Sequence, residues 1–124
     1  YSTSLPRCMI DATRKSLNIL SVDKSHYIKL HENITYFNNS CKRKKIPVNL
    51  NQVPIKTVLL GNPHLALKVK ETFLKENILI QAIRYPTVPK NNDKIRITLT
   101  ATHTKKDIDN LLNTLENVIC EKHT

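Results

Sequence analysis

Glycine is nearly missing from this sequence: among 124 residues Gly61 stands alone. A P-loop, a dinucleotide fingerprint and a nucleophile elbow each need several glycines for close backbone approach, so all three are excluded. Phosphate chemistry must therefore work through side chains or a helix start. Tryptophan is absent and aromatics make up 5% of the chain, which leaves no stacking platform for single-stranded nucleic acid. No apolar run approaches the roughly 18 residues of a membrane span. Cys8, Cys41 and Cys120 are odd in number and widely spaced, with no CxxC, and the five histidines show neither HExxH nor paired zinc spacing. Reduced thiols and no metal are expected. Tyr1 is not an initiator methionine and no charged-then-apolar leader follows it, so the expectation is a soluble, cytoplasmic piece of something longer.

Negative charge is also scarce. Ten Asp and Glu face twenty Lys and Arg, a formal charge of +10, which favours acidic partners such as phosphorylated cofactors or acidic carriers. The cations are scattered, and only Lys42 to Lys45 (KRKK) forms a run. That run follows a helical pattern whose C-terminal dipole attracts cations, so a solvated helix end accounts for it. Asn33-Ile34-Thr35 and Asn38-Asn39-Ser40 fit the glycosylation pattern, which is idle in a chain without a secretory signal.

What is present is periodicity. Ser4 is placed to cap a helix with Pro6 at its first position, and the spacing of Ile10, Leu17, Leu20, Tyr27, Ile34 and Phe37 predicts helices over Pro6–Leu20 and Ser25–Asn39. Ile46 to Pro54 is a proline- and asparagine-bearing connector. It divides linking helices at 1–45 from a small α+β domain at 46–124. In that domain Ile55–Leu60 reads as a strand ending at Gly61. Asn62 and Pro63 then start a helix with Ala66, Val69, Phe73 and Leu74 on one face, and Asn77 stops it. The last helix starts at Thr104, with Asp107 completing a variant capping box and Ile108, Leu111, Leu112, Leu115 and Ile119 in the core. His103 just before it is read as structural. The order strand, helix, strand, strand, helix predicts a three-stranded antiparallel or mixed sheet with helices on one face.

The stretch Ile78–Thr104 carries the most information. Ile78–Ile83 is apolar and β-branched, as a strand buried on both faces would be, while Ile95, Ile97 and Leu99 alternate with Arg96, Thr98 and Thr100. Between them Pro86 and Pro89 fix φ at two points, so the loop should present Arg84 and Thr87 in one shape. A guanidinium at the end of a strand reads anions, since its planar fork matches a carboxylate bidentately.

The run Gln81-Ala82-Ile83-Arg84-Tyr85-Pro86-Thr87-Val88-Pro89, with Arg96-Ile97-Thr98-Leu99-Thr100-Ala101 and His103-Thr104 behind it, resembles the C-terminal signature of the α-oxoamine synthases. These are pyridoxal-phosphate enzymes of the type I aminotransferase fold. The resemblance covers essentially the whole chain but only the C-terminal part of the family's length, so the large cofactor-binding domain is expected to be absent. Within the family it points to the biotin-pathway branch, ahead of the 2-amino-3-ketobutyrate ligases. It implies a homodimer that condenses L-alanine with a pimeloyl thioester of coenzyme A or an acyl carrier protein. Arg84 would grip the alanine carboxylate and Thr87 would contact the bound substrate. Ser2 and Thr3, in Tyr1-Ser2-Thr3-Ser4-Leu5-Pro6, would bond the pyridoxal phosphate of the neighbouring subunit. The Schiff-base lysine lies outside this chain, which would therefore hold no catalytic residue and be inactive alone. Tyr85 stands for a frequent proline, Asn91-Asn92 for a glycine-bearing turn, and Arg7 for a second proline. Charge alone supports a different class, a free-standing basic binding module.

Overall fold

The computed structural model describes residues 4–122. Its elements are α1 (Arg7–Val22), α2 (Ser25–Lys44), β1 (Ile55–Leu59), α3 (Pro63–Lys75), β2 (Gln81–Ile83), β3 (Lys94–Thr98) and α4 (Lys105–Lys122). The predicted α+β arrangement is present. The sheet is antiparallel throughout, with order β1-β3-β2.

Helix α1 begins one residue later than expected, and Ser4 does not cap it. Pro6 is the N-cap, extended at φ −53°, ψ 137°, and its carbonyl accepts the amides of Met9 and Ile10. No residue of α1 is buried. The break before α2 falls at Asp23-Lys24, where the Asp23 carboxylate accepts the Ser25 amide at 2.8 Å. Helix α2 runs to Lys44 rather than Asn39, because Lys45 can adopt the left-handed φ of 54° that closes its last turn. The basic run therefore lies within the helix, with Lys42, Arg43 and Lys44 in its last turn.

Helix α3 starts as the sequence predicts. The Asn62 side chain accepts the amides of His64 and Leu65, and Pro63 follows where its missing N–H costs nothing. Gly61 and Asn77 flank the helix with φ of +71° and 58°. Ala66, Val69 and Phe73 are buried, but Leu74 is 58% exposed and belongs to the outer face.

The expected strand Ile78–Ile83 shortens to Gln81–Ile83. It is an edge strand with only one neighbour, and Leu79 is 83% exposed. An apolar run does not make a two-sided buried strand when nothing covers the second face.

One face of the sheet carries Lys56, Val58, Ile95 and Ile97, paired Lys56 to Ile97 and Val58 to Ile95. It closes on Ile34, Phe37 and Cys41 of α2, Phe73 of α3, and Ile108, Leu112 and Leu115 of α4. Ile119 packs at the edge of this core. The opposite face is left with Ile55, Thr57, Leu59, Ile83, Lys94 and Arg96, of which Ile55 and Leu59 are 45% and 56% exposed. Lys56 lies on the core side, fully buried. Its ammonium donates to the backbone and side-chain oxygens of Asn51 and stands 5.9 Å from the Phe37 ring centroid. Burial lowers its pKa.

Candidate functional site

The loop between β2 and β3 is held at three points. The Arg84 carbonyl accepts the amides of Thr87 (2.9 Å) and Val88 (3.4 Å), closing a turn around the cis Tyr85–Pro86 peptide. Asn92 donates to the Pro89 carbonyl at 3.1 Å, with Asn91 between them at φ 66°. Asparagine tolerates that left-handed geometry, so the turn closes without a glycine. The third point is Asp93, whose carboxylate accepts the Tyr85 amide at 3.2 Å while its carbonyl accepts Leu60 (2.8 Å) and Gly61 (3.0 Å). Asp93 is 1% exposed.

The sequence reading missed Asp93. An acidic residue after a turn asparagine resembles ordinary loop composition, and its inward orientation follows only from the approach of residues 60 and 61. Its signal was position: it immediately precedes the alternating strand.

Arg84 and Thr87 are both exposed on this loop, which brings them within one turn of each other. Arg96 was read only as the polar half of an alternating strand. It lies on the central strand, opposite Thr57 on one side and Gln81 on the other, on the face away from the core. It is half-buried, and its Nε is a buried donor with no partner. A buried donor without an acceptor is costly, and a carboxylate is the acceptor its fork fits best. Three residues of anion-binding or hydroxyl chemistry, Arg84, Thr87 and Arg96, thus belong to one hairpin. Ser2 and Thr3 lie outside the described residues.

His103 is structural, as expected. Its Nδ1 accepts the Thr100 amide at 3.1 Å, and its carbonyl accepts Asn33 Nδ2 at 2.8 Å. Asn33 and Asn38, the two glycosylation-pattern asparagines, are 1% and 3% exposed and occupied by backbone carbonyls, so the folded domain offers neither to modification. A cleft of about 680 Å³ lies elsewhere, between Ile78–Ile80, Ile97–Leu99 and α4, and includes none of the hairpin site residues. Among the described residues no cluster of His, Cys, Asp or Glu could hold a metal, and no helix is long and apolar enough to cross a membrane. Pyridoxal phosphate needs a reachable lysine. Lys56, the one buried lysine among the described residues, is closed off and committed to Asn51. The guanidinium groups of Arg84 and Arg96 have the planar fork that fits a carboxylate.

The family model for aminotransferase class I and II matches residues 1–115, and the chain belongs to that family. It is 36% identical over 121 residues to 8-amino-7-oxononanoate synthase of Saccharophagus degradans, covering 98% of this chain and 30% of that protein. It is 34% identical over 122 residues to 5-aminolevulinate synthase of Rickettsia typhi, covering 98% of this chain and 30% of that one. The solved 8-amino-7-oxononanoate synthase of Francisella tularensis superposes with a TM-score of 0.81 at 27% identity, over all of this chain and 36% of that one. The K265A variant of serine palmitoyltransferase from S. paucimobilis, at 17% identity and a TM-score of 0.83 over 99% of this chain and 31% of that one, shares the fold. The chain spans about 30% of the length of the curated relatives it matches.

Proposed function

We propose that this chain is the C-terminal part of a homodimeric, pyridoxal-phosphate-dependent 8-amino-7-oxononanoate synthase that condenses L-alanine with a pimeloyl thioester. The observation that carries the reading is the β2–β3 hairpin, where a loop pinned by Asp93 presents Arg84 beside Thr87. Its likeness to synthases of that name supports the particular reaction. In the whole enzyme the cofactor, held by residues beyond this chain, supplies the electron sink for the amino acid's α-carbon. The part left to this chain is positioning.

Arg84 receives the alanine carboxylate in a two-point contact, which fixes the direction of the bond to be broken. Thr87, one turn away, offers a hydroxyl to the bound substrate. Holding reactants in place can contribute several kcal/mol to a barrier. Ser2 and Thr3, which lie outside the described residues, are assigned to the cofactor phosphate of the neighbouring subunit by resemblance alone.

Arg84→Lys in the full-length enzyme tests the role. An ammonium keeps the charge and loses the fork, so the alanine KM should rise about tenfold or more while cofactor occupancy, read by its visible absorbance, stays nearly constant. Unchanged alanine kinetics would remove Arg84 from the site. The parallel variant Arg96→Lys asks whether the unpartnered Nε shares the carboxylate. The likeness to the 5-aminolevulinate synthase of Rickettsia typhi makes a second comparison worthwhile: a full-length enzyme that yields 5-aminolevulinate and no 8-amino-7-oxononanoate would overturn the particular reaction.

A further inference from the structure

The hairpin carries more positive charge than one carboxylate requires. Between Arg84 and Arg96 stand four cations, Arg84, Lys90, Lys94 and Arg96, and a single acidic residue, Asp93. That one carboxylate is buried, accepts the Tyr85 amide and forms no ion pair among the described residues. The ion pairs found among the described residues are Arg7–Asp11, Lys29–Glu32 and Lys44–Glu116, none of which reaches the hairpin. Lys94 and Arg96 alternate onto the same half-buried sheet face, about 7 Å apart along the strand, so they repel each other unless an anion lies between or beside them. Lys90 sits exposed in the turn at the loop's tip, its ammonium 5.8 Å from the centre of the Tyr85 ring, a weak attraction that favours positions over the loop.

The two kinds of cation suit different anions. A guanidinium fork matches a carboxylate, and an ammonium acts as a point charge well suited to phosphate oxygens. We infer that Lys90 and Lys94 form a phosphate-binding site for the acyl donor, adjoining the carboxylate site of Arg84. The inference rests on the α-oxoamine synthase reading, in which the donor is a thioester. Its recognised chemistry is a phosphate ester of the pantetheine arm, common to coenzyme A and to a carrier protein. The acyl chain then enters over the apolar border of the same sheet face, where Ile83, Leu59 and Ile55 lie.

The test compares donors in the full-length enzyme: pimeloyl-coenzyme A, pimeloyl carrier protein, and the pimeloyl thioester of N-acetylcysteamine, which has no phosphate. The readout is the ratio of kcat/KM for each phosphate-bearing donor to that for the N-acetylcysteamine thioester. In Lys90→Gln/Lys94→Gln that ratio should fall about tenfold, the cost of losing charged contacts to one ligand, and Lys90→Arg/Lys94→Arg should restore most of it. A fall with both phosphate-bearing donors assigns the pantetheine phosphate; a fall with coenzyme A alone assigns the phosphates of its nucleotide end. Both outcomes support the site. A fall with the carrier protein alone makes this a protein-docking surface and overturns it, as does an unmoved ratio or one lost equally in the arginine variant. The alanine-dependent change in cofactor absorbance separates the two readings. If the parent enzyme shows none, the synthase assignment fails; if it does and the donor ratio stays put, only the phosphate site fails.

Discussion

Burial sets the chemistry of individual side chains here more than sequence neighbours do. Cys41 is fully buried against the sheet, and desolvation pushes its thiol up to about 11, with the nearby Lys56 ammonium pulling the other way. Cys8, on the uncovered helix α1, is exposed. Since the thiolate is the nucleophile, a thiol with a pKa near 11 is ionised to only about one part in a thousand at pH 8, and closure of the core slows it further. Iodoacetamide at pH 8 should therefore label Cys8 at least a hundred times faster than Cys41, with the two rates converging in urea; equal native rates, read by peptide mapping, would show that the core around Cys41 is open. Arg96 and Asp93 follow the same logic with opposite outcomes. Asp93 is inside because it has an amide to receive, while the Arg96 Nε is inside without a partner, which is why it points to a ligand.

At the scale of elements, local chemistry was most legible where the backbone itself demands it. Asn62-Pro63 and Thr104-x-x-Asp107 were readable because a helix start needs acceptors for its free amides, and both act as read. Legibility failed where a third element decides. Lys56 looks like the solvent side of β1, yet its pairing with Ile97 turns it inward, and the connector's Asn51 makes that tolerable. Leu74 and Leu79 look like core, yet they stay exposed among the described residues. The candidate site divides the same way: that Arg84 and Thr87 share one loop could be read from its prolines, whereas Asp93 needed the contact with residues 60 and 61, and Arg96 needed the knowledge that β3 is central. The α4 cap also makes a pH prediction. The Thr104 amide and hydroxyl both donate to the Asp107 carboxylate and hold its pKa below the ordinary value near 3.8. A depressed folded pKa contributes stability that is present above the unfolded pKa and lost as pH falls through the folded one. Asp107→Asn should therefore lower Tm at pH 7, and the gap to the parent should close as pH drops below about 4. A gap that persists undiminished at pH 2 would mean the carboxylate's charge is not what stabilises the cap.

At the scale of the molecule, the core closes on itself among the described residues while the outer sheet face does not. Val58, Phe73, Ile95 and Leu112 close against one another within these residues. The outer sheet face and the whole of α1 stay open with their apolar side chains in solvent. A chain spanning about 30% of its relatives' length thus contains a closed hydrophobic core among its described residues. The reading assigns carboxylate and phosphate recognition to this piece and the cofactor's covalent hold to the remainder. Its buried lysine, Lys56, is committed to Asn51, and the exposed lysines lack the enclosed pocket that favours a lasting imine. Mixed with pyridoxal phosphate, trapped with borohydride and digested, the isolated chain should show substoichiometric label spread over several exposed lysines, with none at Lys56 until the protein is unfolded. Stoichiometric label at one lysine would place the cofactor site within these residues and reverse the division of labour. The full-length enzyme treated in the same way should carry one label per chain, at a lysine outside this sequence.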